Sequence, residues 1–305
     1  MTRLLVLSAL CISVVPLSAT PSARQAIVRA IPFIEEQGVD WIEKRNCVSC
    51  HRINTMVWSL NLAREKGFVV SEELDKWIDW SITASFSKND KGKIVGQLNK
   101  EGVAQLLVGL PQLSKAKRAK LAALLPHDQR KDGTWKPGGQ LPGQKRPIAE
   151  TSIVTAQWLV LALADGPAAV RARKAARNSP AGQSTEYYAL KLLLADTLKA
   201  RSAAQQALLQ HQSDDGGWGW LTQGPSDALG TGLALYALQR AGLSPEAKTA
   251  VQARAFLLRT QMKDGSWPVR GTKANKKKSV EETATYWGTT WAVIALATGL
   301  PAKGE

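Results

Sequence analysis

The sequence predicts an all-α, repeat-built chain, and three observations carry that prediction. Apolar residues recur at helical spacing along nearly its whole length, no run alternates with the period of a strand, and one turn pattern appears three times. The pattern is Gln-x-x-Asp-Gly-x-Trp, at Gln129–Trp135, Gln212–Trp218 and Gln261–Trp267. The apolar spacing predicts about eleven to thirteen helices.

The first of the 305 residues have a different character. Met1-Thr2-Arg3 is followed by a mostly apolar run, Leu4 to Leu17, and then by the small residues Ser18-Ala19-Thr20. One positive charge, a short apolar core and small residues read as a secretory signal peptide over residues 1–22, cleaved between Ala19 and Ala23. The run is too short, and too interrupted by Cys11, Ser13 and Pro16, for a membrane span. Cys11 follows Leu10, where a lipoprotein anchor calls for a small residue. The expected location is therefore exported, periplasmic or extracellular.

Helical faces follow in order. Phe33, Ile34, Val39, Trp41 and Ile42 form one approach, and Met56, Trp58, Leu60, Leu62 and Ala63 resume after it. Leu74, Trp77, Ile78 and Trp80 make a packing face. Val103, Leu106, Leu107 and Leu110 precede Pro111, and Leu121, Leu124 and Leu125 end at Pro126. Ser184-Thr185-Glu186 reads as a cap before Leu190, Leu193, Leu194 and Leu198. Each three-part turn then leads to a capped apolar helix: Glu150-Thr151 before Ala156–Leu163, Ser226-Asp227 before Thr231–Leu238, and Glu282-Thr283 before Thr289–Leu296. The glycine supplies the left-handed turn that a helix end needs, and the tryptophan packs against a neighbouring unit. The expected division is residues 1–22 as signal peptide, an N-terminal helical region at 23–115, and a repeat region at 116–300 continuous with it.

The turns resemble the QW repeats of the terpenoid cyclase and protein prenyltransferase superfamily. The resemblance covers residues 120–299 well and implies an α-α toroid, a closed ring of helix pairs. It says little about reaction. The acidic Asp-x-Asp-Asp of squalene-hopene-type cyclases is missing, and Asp214-Asp215 lies inside a turn, where it reads as a turn carboxylate. The chain has about half the length of those enzymes. The Asp, Cys and His zinc set of the prenyltransferases is missing too, because both cysteines outside the leader lie in one pentapeptide. Those features lean against an enzyme, and leave a terpenoid-acting toroid as an alternative.

That pentapeptide is Cys47-Val48-Ser49-Cys50-His51, the spelling of a c-type haem attachment site. With the leader removed, Cys47 and Cys50 are the only cysteines. A disulfide between residues three apart, a thioredoxin-like pair and a zinc site are the competing readings; the first is unusual, the second lacks a βαβ context, and the third lacks further ligands. The expectation is one covalent haem c, with Cys47 and Cys50 as thioether attachments, His51 as proximal iron ligand, and electron transfer to a redox partner protein as the function. Aligned with the repeats, the pentapeptide stands in the slot of a QW turn. The combination resembles a group of exported bacterial proteins pairing such a motif with squalene-cyclase-like repeats. Met56 is too close to reach across the iron, so Met262, His127 and His211 are the candidates for the sixth ligand, beside an open site. A binding or sensor module with a structural haem is the further alternative.

Net charge is +15. This suits solubility, acidic partners or an anionic membrane surface. Lys273, Lys276, Lys277 and Lys278 read as a solvated loop, and no nucleic-acid partner is expected.

Overall fold

The computed structural model describes residues 22–48, 52–139, 141–163, 165–276 and 279–301. The expected leader, except Ser22, therefore lies outside the described residues, as do Ser49, Cys50 and His51. The described residues form thirteen α-helices: α1 (Ala23–Arg45), α2 (Ile53–Glu65), α3 (Leu74–Phe86), α4 (Val95–Leu98), α5 (Lys100–Gly109), α6 (Lys115–Ala122), α7 (Ile148–Ala162), α8 (Pro167–Arg177), α9 (Thr185–Leu193), α10 (Leu198–Leu209), α11 (Ala228–Arg240), α12 (Lys248–Thr260) and α13 (Glu282–Thr298). Extended pairing among them is confined to isolated bridges. None is long and apolar enough to cross a membrane.

Six helices form a closed inner ring. In order they are α2, α5, α7, α9, α11 and α13, and α13 packs back against α2. An outer layer covers them: α3 lies on α2, α6 on α5, α8 on α7, α10 on α9 and α12 on α11, while α1 spans α13 and α2. The expected α-α toroid is thus the observed fold.

The two layers differ in composition for a physical reason. An inner helix meets protein on every side, so α11 buries all of Ala228–Leu238 and needs no polar face. An outer helix buries one stripe. In α8 this is Ala169, Ala172 and Ala176, with Arg171, Arg173, Lys174 and Arg177 turned elsewhere.

The three QW turns do one job at three places. Each glutamine donates its side-chain amide to the carbonyl of its own turn glycine and to a carbonyl in the first turn of the next outer helix. Gln129 reaches Ala168 at 2.9 Å, Gln212 reaches Thr249 at 3.2 Å, and Gln261 reaches Ala26 at 2.8 Å. The last of these closes the outer layer, because Ala26 belongs to α1. Each tryptophan indole N–H donates to a backbone carbonyl at or near the end of the preceding outer helix: Trp135 to His127, Trp218 to Leu208, Trp267 to Leu257. The aspartates accept from the backbone N–H two residues on. The third glycine, Gly265, has φ +87°, and a Cβ there would overlap the Arg29 carbonyl of α1.

Residues 46–52 connect outer α1 to inner α2, the same outer-to-inner step that each QW turn makes. Arg52 bolts this junction. Its buried guanidinium lies between the Trp41 and Tyr286 rings, 4.7 Å from each centroid, and pairs with Glu282.

The axis of the ring is filled. Trp58 of α2, Trp158 of α7, Tyr236 of α11 and Trp291 of α13 meet there, with ring centroids 5.2–6.3 Å apart in edge-to-face and tilted pairs, the geometry that aromatic quadrupoles favour. Gly109 of α5 faces Trp58, and Gly232 of α11 faces the backbone of Trp291; a Cβ at either position would collide.

Candidate functional site

One helical turn toward the start of the inner helices, the lining changes from aromatic to polar. Spacing of three or four residues puts Asn54 above Trp58 and Thr155 above Trp158 on their respective helices, and Glu101 above Gln105. All are buried. Thr155 donates its hydroxyl to Glu101 Oε1 at 2.5 Å. Glu186, at the second position of α9, accepts from the Trp158 indole at 2.8 Å and from Arg146 Nη1 at 2.6 Å. Arg146 itself is fully buried and also reaches Thr151. Glu101, Thr155, Glu186, Arg146 and the Trp158 indole thus form a buried polar cluster above the aromatic floor, which we call the chamber.

Its electrostatics separate the acids. Burial, helped by the charge of nearby Glu186, pushes Glu101 up to about 8, and Arg146 and Thr155 only partly oppose this. Burial thus favours the protonated form of Glu101, while Glu186 has a guanidinium partner. Several polar atoms have no partner among the described residues: both amide atoms of Asn54, Oε1 of Gln105, Nη2 of Arg146 and the indole nitrogen of Trp291. Such atoms are costly to bury and mark a place where polar ligands or water fit. Beside Glu101 is a cavity of about 10 Å³, lined also by Asn99, Lys100, Lys136 and Thr155, which has room for one water.

Three further carboxylates are structural. Glu150 accepts from Gln183 N, Ser184 N and Ser184 Oγ, tying α7 to the start of α9. Asp227 caps α11 and is pushed up to about 6 by burial. Asp215 accepts from Gly217 N and Ser226 Oγ, a turn carboxylate.

The residues singled out in the sequence are scattered by comparison. Cys47 is an exposed free thiol. Its carbonyl accepts from the Trp41 indole, and the Val48 carbonyl accepts from Asn99, which pins the start of that loop to α5. Cys50 and His51 lie outside the described residues. Met262 is half exposed in the third QW turn, beside the start of α1. Cys47 follows the end of that helix, and the nineteen steps from Ala26 to Arg45 rise roughly 28 Å at 1.5 Å each. The ring brings Met262 to the wrong end of α1. His127 sits against Asp128 at 2.7 Å, and His211 stacks on Tyr188 at 4.6 Å. They occupy two further connections of the ring, so these three candidate iron ligands do not converge. Among the described residues no three of His, Cys, Asp and Glu gather as a metal site.

Comparison with known proteins places the fold. The model of the squalene-hopene cyclase N-terminal domain matches residues 183–266, the stretch from α9 into the third QW turn and well under half of the chain. No curated protein matches the sequence. Among solved structures, the unsaturated glucuronyl hydrolase of Bacillus sp. GL1, responsible for the degradation of glycosaminoglycan, superposes with a TM-score of 0.56 at 13% identity, over 90% of this chain and 96% of that one. A glycosyl hydrolase family 88 protein from Bacteroides vulgatus gives 0.51 at 12% identity, over 91% and 99%. At such identities the likeness is one of fold. The chain is a squalene-cyclase-like helical toroid, shared with glycosidases.

These findings correct the functional expectation. The solved relatives of the ring are named as sugar hydrolases, which do not use covalent haem. The haem c cofactor, electron transfer, and a sensor built on a structural haem are overturned by them; Cys50 and His51 themselves lie outside the described residues. The pentapeptide was read from local spelling alone, and the solved structures that share the fold around it are named as glycosidases. The terpenoid alternative required a deep apolar cavity on the axis; Trp58, Trp158, Tyr236 and Trp291 fill that place.

Glu101, Thr155, Asn54 and Arg146 were not singled out in the sequence, and Glu186 was read only as part of a cap. The available signal was positional: Glu101 and Glu186 each hold the second position of an inner helix.

Proposed function

We propose that this chain acts on sugars by acid–base hydrolysis, in the polar chamber above the aromatic floor. The observation that carries the reading is the buried pair of carboxyl groups, Glu101 held by Thr155 and Glu186 held by Arg146 and Trp158, with burial favouring the protonated form of Glu101. Glycoside cleavage uses such a pair: one carboxylic acid protonates the leaving oxygen and the other carboxylate supports the positive charge that develops at the sugar carbon. In this reading Glu101 gives its proton to the glycosidic oxygen, that bond breaks, and water supplies the hydroxyl at the sugar carbon and returns a proton to Glu101. Glu186, oriented by Arg146 and Trp158, supplies the negative charge. The two solved relatives named as glycosidases support the reaction class. Lys136, Gly138 and Leu141 cover the cavity at Glu101, so a sugar reaches the acid when they move aside.

Release of reducing ends from a panel of glycosides and uronides tests the reading. Activity that falls at least ~100-fold in Glu101→Gln, with the fold intact, is the expected result. Absence of both turnover and saccharide binding by calorimetry overturns it.

The filled axis favours a second reading, a scaffold without turnover, which that same negative result selects. We also propose that residues 1–22 direct export, supported by the charged start and the apolar run. N-terminal sequencing of the mature protein tests this, and an intact Met1 on exported protein rejects cleavage.

A further inference from the structure

A larger cavity is on the outside of the ring. An open groove of about 1000 Å³ runs between the first half of α1 and the loop from α2 to α3, lined by Arg24, Val28, Pro32, Phe68 and Val69. Val28 is 56% exposed and Val69 is 92% exposed. The loop is held out rigidly: Ser71 N donates to Glu35 Oε1 at 2.7 Å, and the Arg24 guanidinium lies 4.4 Å from the centre of the Phe68 ring. Packing gives no reason for an apolar side chain at the tip of a fixed loop. The apolar run Leu4–Leu17 joins α1 through residues 18–22. Until the leader is cleaved, the six residues from Leu17 to Ala23 reach at most ~20 Å, so while that run meets a bilayer this face is beside it.

We propose that the groove is a membrane-contact face for anionic lipid. Val28 and Val69 enter the boundary between headgroups and acyl chains, Phe68 packs buried beneath them, and Arg24 meets the phosphates. The net charge of +15 draws the chain to such a surface, and the apolar side chains select the face that lands. This inference is independent of the chemistry in the chamber.

Sedimentation of the full chain with phosphatidylcholine vesicles, with and without phosphatidylglycerol, tests it. The expected result is binding that requires phosphatidylglycerol and weakens at least ~tenfold in the double variant Val28→Glu, Val69→Glu, with unchanged circular dichroism. Hydrogen exchange at residues 67–71 is expected to slow only when vesicles are present. Undiminished binding by the double variant overturns the proposal, because the N-terminal run or bulk charge then suffices. No binding by either protein overturns it as well. Slow exchange at 67–71 without vesicles also counts against it, since another part of the chain or a second copy then covers the groove.

Discussion

Gln261 donates its side-chain amide to the carbonyl of Ala26, 235 residues earlier in the chain, and Arg29 of the same helix donates back to its Oε1 at 2.7 Å. Gln129 repeats both halves of this exchange with Ala168 and Arg171. A motif that elsewhere joins neighbouring units here joins the last unit to the first.

Replacing Gln261 with Ala leaves the Ala26 and Gly265 carbonyls without their donor. The expected loss is about 1–3 kcal/mol, read as a lower denaturant midpoint with an unchanged slope. A loss below ~0.5 kcal/mol would mean that helix packing alone closes the ring.

Gly265→Ala tests the same closure through the backbone. The residue has φ +87° and lies against the Arg29 carbonyl, so the added methyl meets both strain and overlap. Destabilisation of more than about 1 kcal/mol is expected in thermal unfolding.

Trp58→Ala removes the side chain that touches three other rings on the axis. The expected cost is about 3–5 kcal/mol, and the vacated space is expected to take up a small aromatic such as benzene. Stabilisation by saturating benzene in the variant, and not in the parent, checks it.

Stability is expected to fall as pH rises. Burial pushes Asp227 from 3.8 up to about 6 and Glu101 from 4.5 up to about 8. Each binds its proton more tightly folded than unfolded, so between about 4 and 8 the folded state holds more protons and loses stability with rising pH. Above 8 these two groups add no further slope. Melting temperature measured from pH 4.5 to 8.5 is expected to decline, and Glu101→Gln to flatten the part above pH 6. An equal decline in the variant would remove Glu101 as the cause.

Arg146→Met leaves Glu186 buried with only the Trp158 indole. Loss of about 3–5 kcal/mol is expected, and the double variant Arg146→Met, Glu186→Gln is expected to recover part of it. No recovery would mean that Arg146 serves by packing.

The helices and turns were legible because their determinants are local. Gln, Gly and Trp stand within seven residues of one another, and the helical faces within four. What each turn glutamine reaches was not legible: Ala168, Thr249 and Ala26 have no signature of their own, since a backbone carbonyl is the same for every residue. The chamber was hidden for a similar reason. Glu101 meets Thr155 across 54 residues and Arg146 meets Glu186 across 40, and only ring closure brings them together. Cys47-Val48-Ser49-Cys50-His51 failed in the opposite way. Its spelling is vivid and local, but a cofactor site also needs a far side, and Met262, His127 and His211 are spread around the circumference.

The placement of α1 has a consequence for how the chain is made. Among the described helices α1 comes first in the chain, and it packs against α13, the last of them, as well as against α2 and α12. Its α2 side can pack early, but its α13 side stays uncovered until α13 exists. Lys66 already reaches the Leu300 carbonyl, so the two ends of the ring lie side by side. A circular permutant that moves α1 behind α13 through a short linker would therefore keep every contact while letting the ring close in the order of synthesis. It should refold faster than the parent at equal stability.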